Sequence, residues 1–232
     1  MLRRVAFLFV LSSVLLVVWA IPAAASPITL QTAYTFSGNQ AYNGVGVRFN
    51  INSPITVMQL GIFDSGQNGL AASSSAPLSA YLLTSSGNTV VSMAFDSFSA
   101  GILDVASGYR FKSIAPTVLG PGQYFLMGYG WSLADQEHNC FKGGVCPAFD
   151  NGGGLLTFVE SAWGRGNDAA GAAPINFGSV GGMNGNYFSA ASMRYVGGTP
   201  VSAAQNVPEP ASCLLLAAGL AGLLGVSRKT RA

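Results

Sequence analysis

The chain contains one histidine, His138, and this residue limits the chemistry that the sequence supports. A Ser-His-Asp triad needs a histidine as its general base, so any such triad would have to use His138. No Gly-x-Ser-x-Gly sequence, which would place a nucleophilic serine on a sharp turn, occurs in the chain. We therefore predict no catalytic residues, and we expect His138 to be a solvated surface residue of a loop.

Four acidic residues are candidates for a pair of catalytic carboxyl groups: Asp135, Glu137, Asp150 and Glu160. Hydrolysis of a glycosidic bond uses two carboxyl groups whose separation decides the mechanism. The sequence does not define that separation. A secreted carbohydrate-active hydrolase with a carboxylate pair therefore stays open as the alternative to a non-catalytic protein.

Two cysteines, Cys140 and Cys146, enclose a loop of five residues that contains two glycines. Such a loop can close with ordinary disulfide geometry, and in an oxidising compartment we expect the thiols to pair, with a stabilisation of roughly 2 kcal/mol. A metal site is the rival interpretation, since His138, Glu137 and Asp135 are potential further ligands. Their spacing matches no ordinary zinc pattern, so the sequence predicts the disulfide and no metal.

Ligand contacts are suggested by aromatic residues and by loop oxygens. Trp131 and Trp163 are the candidate sugar contacts, because flat apolar rings stack on sugar faces, although aromatic residues in strands mostly pack in the core. We predict no cofactor. Calcium is the ion that the loop oxygens would suit, but no EF-hand or repeat spacing supports a site. The residues concerned are Asp64, Asp135, Asp150, Asn151 and Asp168.

The central part of the chain has the composition of an all-β extracellular module, with few charges and many Gly, Ser, Asn and aromatic residues. Residues 44–51 alternate apolar and polar side chains, which predicts a strand. In residues 55–63 the alternation shifts phase between Val57 and Met58, which predicts a β-bulge or burial on both faces. Further strands are predicted at residues 78–84, 89–95, 109–114, 123–129, 155–163 and 187–196.

Turn signals separate several of these strands, notably Ser85-Ser86-Gly87-Asn88 and Leu119-Gly120-Pro121-Gly122. Glycine and asparagine tolerate the positive φ that a tight turn requires. We therefore predict a single antiparallel β-sandwich, jelly-roll-like, over residues 26–196, flanked by an N-terminal signal helix and a C-terminal transmembrane helix.

Residues 45–130 also resemble an uncharacterised β-sandwich domain of secreted bacterial proteins. The resemblance implies a sandwich and no assigned chemistry, and it weakens after Trp131. The motifs that carry it are Val45-Gly46-Val47-Arg48-Phe49, Leu60-Gly61-Ile62-Phe63-Asp64, Gly108-Tyr109-Arg110-Phe111, Leu119-Gly120-Pro121-Gly122-Gln123-Tyr124 and Gly128-Tyr129-Gly130.

The first 25 residues have the composition of an export signal. Arg3 and Arg4 precede an apolar run at residues 5–21, and small residues follow at the positions that signal peptidase reads, including Ala23 and Ala25. Cleavage after Ala25 would make Ser26 the first residue of the mature protein. Twin-arginine export is the alternative, but no cofactor motif requires folded export, so general secretion is preferred.

The last residues combine a short uncharged segment with a basic end. The 16 residues at 211–226 would form a helix of roughly 24 Å, which is short of the roughly 30 Å hydrocarbon core of a bilayer. Arg228, Lys229 and Arg231 follow it, and basic residues beside a membrane segment stay on the cytoplasmic side. The domain before this segment is therefore expected on the opposite side of the membrane.

A Pro-Glu-Pro triplet, Pro208, Glu209 and Pro210, directly precedes this segment. Residues 207–232 resemble the PEP-CTERM sorting signal of exopolysaccharide-producing Gram-negative bacteria. The resemblance implies that an exosortase recognises the triplet and removes the tail. Residues 197–206 would then be a linker. Cys213, inside the apolar segment, departs from the pattern and is interpreted as a small apolar residue.

The formal charge of +2 comes from the two terminal segments. Between Ser26 and Val207 the chain has six basic and eight acidic residues, so nucleic-acid binding is not predicted. We predict an exported, non-catalytic protein of the cell surface or extracellular matrix with a structural or adhesive role in exopolysaccharide or biofilm. Its expected partners are signal peptidase, exosortase, exopolysaccharide and, before sorting, the inner membrane.

Overall fold

The structure is a computed structural model that describes residues 25–42, 44–71, 77–163 and 185–198. Ala25 and Ser26, on the two sides of the predicted signal cleavage bond, are described and exposed. The rest of the predicted signal peptide, most of the linker and the whole predicted sorting signal lie outside the described residues. No helix among the described residues is long and apolar enough to cross a membrane.

The described residues form strands joined by turns and two short 3-10 helices. The strands are β1 (Ile28–Thr29), β2 (Gln31–Thr32), β3 (Val45–Ile51), β4 (Ile55–Phe63), β5 (Leu78–Thr84), β6 (Thr89–Phe95), β7 (Ile102–Asp104), β8 (Tyr109–Leu119), β9 (Gly122–Tyr129), β10 (His138–Asn139), β11 (Ala148–Phe149), β12 (Leu156–Trp163), β13 (Phe188–Ser189) and β14 (Ala191–Gly197). The 3-10 helices are η1 (Ser65–Gln67) and η2 (Cys140–Lys142).

Two five-stranded sheets contain most of the strands. Their strand orders are β1-β14-β4-β8-β7 and β12-β3-β9-β5-β6, and every described pairing is antiparallel. Two further antiparallel pairs, β10-β13 and β11-β2, stand apart from these sheets. The predicted all-β class is confirmed.

Both sheets contribute to one hydrophobic core. In β3 the alternation read from the sequence holds, since Val45, Val47, Phe49 and Ile51 are all buried in that core. From the other sheet, β4 and β14 bury residues along most of their length, and in β4 this is the burial on both faces that the sequence predicted as an alternative to a bulge. Side chains from two facing sheets therefore exclude water from the interior.

The phase shift predicted in β4 is a β-bulge at Met58. Val57 lies opposite Thr117 of β8, but Gln59 lies opposite Ser113, so residues 114–116 of β8 face a single residue of β4. The pairing of β4 with β14 shifts at the same position. Pro116 occupies the irregular stretch, where its missing N–H leaves no ladder bond unmade. The bulge explains why β8 extends to Leu119 and not only to residue 114 as predicted.

The predicted hairpin between β5 and β6 is present, with Gly87 at a φ of 83° in its turn. The single strand predicted at residues 187–196 is wrong in one respect, because the chain forms two strands there. It changes partner at Ala190, pairing with β10 through β13 and with β4 through β14. The pairs β10-β13 and β11-β2 bring together the segments that build the site described next.

Candidate functional site

A disulfide joins Cys140 to Cys146, as the sequence predicts. The enclosed loop starts with η2, whose cap is Asn139: its side chain accepts a hydrogen bond from the Phe141 backbone N at 3.0 Å. Near the other end of the loop, the Val145 backbone N donates to Thr35 Oγ1 at 3.0 Å. The disulfide, the cap and this hydrogen bond fix the loop against the segment after β2.

The disulfide loop and the neighbouring segment expose four apolar side chains and one lysine. Phe141 is 72% exposed, Val145 58% and Tyr34 59%, and Phe36 is also exposed. Lys142, which lies between Phe141 and Val145 in the sequence, is exposed as well. We call these five residues the loop surface. Phe141 is held from one side by Tyr187, whose ring lies edge-on at 6.0 Å between centroids.

His138 lies beneath the disulfide loop and is only 2% exposed. Its Nδ1 lies 2.9 Å from the Ser37 carbonyl oxygen, which can only accept, so Nδ1 carries the proton. A Cβ at Gly144 would lie 2.8 Å from His138 Cε1, so the loop packs directly over the ring. Burial lowers the pKa of His138, and the hydrogen bond that Nδ1–H donates to the Ser37 carbonyl oxygen opposes this only in part. The expectation of a solvated loop histidine is therefore wrong, because the disulfide loop covers the residue.

Glu137, the residue before β10, is fully buried. Its backbone carbonyl accepts from the N–H groups of Asn39 at 3.0 Å and Gln40 at 3.2 Å, while neither carboxyl oxygen has a well-formed hydrogen bond. Burial raises the pKa of Glu137 to about 8, and the Gln40 side chain and the Lys142 charge lower it less than burial raises it. The carboxyl group is therefore protonated and neutral at neutral pH.

Tyr109 lies near this carboxyl group and begins a chain of hydrogen-bonded polar side chains. Its hydroxyl donates to Gln31 Oε1 at 3.1 Å, and Gln31 Nε2 donates to Asn186 Oδ1 at 2.8 Å. Burial first, and the Glu137 carboxyl next to it, raise the pKa of Tyr109. Ser189 also lies beside Tyr109 and is fully buried. No local sequence pattern predicted this network, because its residues come from four segments that are distant in the sequence.

The buried groups do not form a catalytic triad. Ser189 and His138 are paired in the β10-β13 ladder, which brings a hydroxyl and an imidazole onto neighbouring strands. However, Ser189 Oγ and His138 Nε2 each lack a hydrogen-bond partner among the described residues, so the nucleophile–base bond that activates a serine is not formed.

Three of the four candidate carboxyl groups make hydrogen bonds or an ion pair with other parts of the domain. Asp135 accepts from the Ala71 backbone N at 2.9 Å, and Asp150 accepts from the Gly152 backbone N at 2.9 Å. Glu160 forms an ion pair with Arg48 at 2.5 Å. Glu137, described above, is protonated. None of these contacts places two of the carboxyl groups together across an open cleft.

The loop oxygens proposed for calcium are occupied in a similar way. Asp64 is fully buried, with Oδ2 at 2.6 Å from Arg110 Nε, and Asn151 Oδ1 accepts from the Gly153 backbone N at 3.0 Å. Asp168 lies outside the described residues. Across the ranges that the structure describes, no group of three or more His, Cys, Asp or Glu side chains could hold a metal ion.

The two tryptophans proposed as sugar contacts belong to the core. Trp131 is 5% exposed and lies in the main cluster, and Trp163 is half-buried and packs against it. Among the aromatic side chains that are open to solvent are Phe141, Tyr34 and Phe36 of the loop surface, which sequence reasoning missed. A usable signal was the tight spacing of Phe141 to the two cysteines, because a short disulfide loop cannot turn all its side chains inward.

The predicted sorting residues Pro208, Glu209 and Pro210, and the basic residues Arg228, Lys229 and Arg231, lie outside the described residues, as does Ala23. Comparison with known families tests this part of the chain. A family model described as the PEP-CTERM protein-sorting motif matches residues 206–231. No curated protein and no solved structure matches the chain.

The matched residues include the Pro-Glu-Pro triplet, the apolar segment and the basic end, so the match covers the stretch that the sequence singled out. The motif indicates an exported, extracellular protein that an exosortase processes and sorts to the cell surface of Gram-negative bacteria. The chain therefore carries a PEP-CTERM protein-sorting motif at residues 206–231.

Proposed function

We propose that the protein is a non-catalytic component of the cell surface or extracellular matrix, which associates with exopolysaccharide through the loop surface in a structural or adhesive role. The observation that carries the proposal is the Phe141 ring, 72% exposed on a loop that a disulfide and a cap hold in place. A large apolar side chain kept in solvent by a rigid loop is a feature of binding surfaces.

The chemistry of the loop surface suits a polysaccharide. The rings of Phe141 and Tyr34 offer apolar faces to the C–H faces of sugar rings, and exposed Ser37 and Asn39 next to them can bond sugar hydroxyls. Because the loop is already ordered, binding would not have to pay for ordering it.

A non-catalytic role is supported by how the reactive groups are used. His138 is covered, Glu137 is protonated at neutral pH, and Glu160 is paired with Arg48. A glycoside hydrolase needs one ionised and one protonated carboxyl group on either side of a substrate. The hydrolase alternative has no corresponding geometry in its favour among the described residues.

The route to the surface follows from the terminal segments. We propose that signal peptidase cleaves between Ala25 and Ser26 and that residues 211–226 hold the chain transiently in the inner membrane, with Arg228, Lys229 and Arg231 on the cytoplasmic side. An exosortase then cuts near Pro208-Glu209-Pro210 and releases the domain to the surface.

We also propose that the domain is a jelly-roll sandwich. Support comes from the strand order: β1-β14-β4-β8 in one sheet and β3-β9-β5-β6 in the other reproduce the alternation of strands between two four-stranded sheets, with β7 and β12 added at edges. Such a fold places loops at the ends of the sheets, where the disulfide loop would be free to contact a polymer.

The test is co-sedimentation of the processed protein with exopolysaccharide isolated from the native host, with Phe141→Ala compared against Phe98→Ala. Phe98 is a matched control because it is 97% exposed on the turn after β6 and is not one of the residues of the loop surface. We expect binding without release of reducing ends, weakened by Phe141→Ala and retained by Phe98→Ala. Absence of binding, or release of reducing ends by the purified protein, would overturn the proposal.

A further inference from the structure

We propose that the loop surface selects acidic polysaccharides, with Lys142 as the residue that binds the sugar carboxylate and Phe141 as the ring on which that sugar lies. This inference rests on the function proposed above and adds the chemical class of the ligand. It is carried by the position of Lys142 and by the charges around it.

Lys142 is held at a fixed place on the loop surface. It is the last residue of η2, directly after Phe141, and the turn is closed by a hydrogen bond from the Gly143 backbone N to the Cys140 carbonyl oxygen at 3.0 Å. The disulfide begins at Cys140 as well. The cation and the exposed ring therefore project from one constrained turn.

The other cationic side chains that the structure describes already have contacts. Lys112 Nζ donates to the Ala94 carbonyl oxygen at 2.5 Å and lies 4.9 Å above the Phe95 ring. The three arginines are each paired with a carboxylate: Arg48 with Glu160, Arg110 with Asp64 and Arg194 with Asp104. Lys142 has no ion-pair partner within the described ranges. It is the described cation that remains available to a ligand.

Glu137 is the acidic residue whose pKa responds to Lys142, and it does not neutralise the lysine. Glu137 is fully buried and forms no ion pair with Lys142 within the described ranges, and its raised pKa favours the neutral acid at neutral pH. The loop surface therefore presents one positive charge beside an apolar ring. A uronic acid matches both features, since its carboxylate pairs with an ammonium group while its C–H face packs on the ring.

The experiment compares polygalacturonate with its fully methyl-esterified form, in which a neutral methyl ester replaces each carboxylate on the same sugar backbone. Affinity electrophoresis of the processed protein measures both dissociation constants at low and at 0.5 M salt. We expect about fivefold tighter binding of the acidic polymer at low salt, the upper end of what one exposed ion pair contributes, and loss of this preference at high salt.

Three variants test the residue assignment. Lys142→Gln is expected to reduce the preference for the acidic polymer to about one, whereas Lys142→Arg and the control Lys112→Gln are expected to keep it. A preference that survives Lys142→Gln, or equal binding of the two polymers by the unmodified protein, would overturn this inference and leave the exopolysaccharide proposal standing. Absence of binding to both polymers and to host exopolysaccharide would overturn the two proposals together.

Discussion

Asn39 and Asn139 lie 100 positions apart in the sequence and exchange two hydrogen bonds. Asn39 Nδ2 donates to the Asn139 carbonyl oxygen at 3.0 Å, and the Asn139 backbone N donates to Asn39 Oδ1 at 2.9 Å. The Asn39 side chain thus substitutes for a neighbouring strand at β10. Because Asn139 also caps η2, this pairing positions the start of the disulfide loop.

We predict that Asn39→Ala lowers the free energy of unfolding by about 1–3 kcal/mol, because it leaves a backbone N–H and a carbonyl of β10 without partners. Urea denaturation provides the measurement. Asn88→Ala serves as the control, since the Asn88 side chain bonds only Ser86 on an exposed turn. Equal stability of the two variants would show that the Asn39 hydrogen bonds do not support β10.

The disulfide gives a second prediction. Replacing Cys140 and Cys146 together by serine should lower the free energy of unfolding by roughly 2 kcal/mol, because the loop it closes is short. It should also release the loop from His138. Hydrogen exchange of residues 137–145 checks this local effect, and protection equal to that of the unmodified protein would contradict it.

Glu137 predicts a dependence of stability on pH. Its pKa is raised from 4.5 to about 8 in the folded protein, so the folded state holds a proton that the unfolded state has lost between these values. The stabilisation is complete below pH 4.5 and is lost as the pH rises to about 8. His138, whose pKa is lowered, acts in the opposite direction below pH 6.5.

The Glu137→Gln variant separates the two contributions, because glutamine has a similar shape and does not titrate. We predict that the stability of the unmodified protein relative to this variant falls steadily from pH 4.5 to pH 8, as measured by thermal unfolding at several pH values. Tyr109, which lies near Glu137, has a raised pKa and stays neutral over this range. A constant difference between the two proteins would contradict the prediction.

Gly46 in β3 leaves no room for a side chain. A Cβ at this position would lie 1.9 Å from the Leu126 carbonyl oxygen of β9, so the two strands would have to separate. We predict that Gly46→Ala costs about 3 kcal/mol or prevents folding. Gly120→Ala is the matched control, since a Cβ there meets nothing within 4 Å. Circular dichroism melting of both variants tests the contrast, and similar melting temperatures would refute it.

Local sequence patterns predicted the strands that pack their own alternating faces into the core. The alternation of β3, the bulge at Met58 and the turn at Gly87 are each encoded by a few adjacent residues, and all three are present. The short strands β1, β2, β7, β10 and β11 were not predicted. They have two or three residues each, and all except β7, which pairs with the adjoining β8, exist because distant segments provide partners for their backbones.

The same distinction applies to the candidate site. The pairing of Cys140 with Cys146 was predictable, because both partners and the short loop are visible in sequence. The burial of Glu137 and His138 was not, because the covering groups come from residues 31–40 and from the loop itself. Polar residues next to each other suggested an exposed loop, and tertiary contacts overrode that pattern.

Removal of both terminal segments is the central expectation for this protein. Intact mass spectrometry of the protein from the surface fraction of its native host tests it most directly. We predict a mass that lacks residues 1–25 and residues 211–232, because signal peptidase and an exosortase remove the two ends. A mass that still includes residues 211–232 would contradict the account.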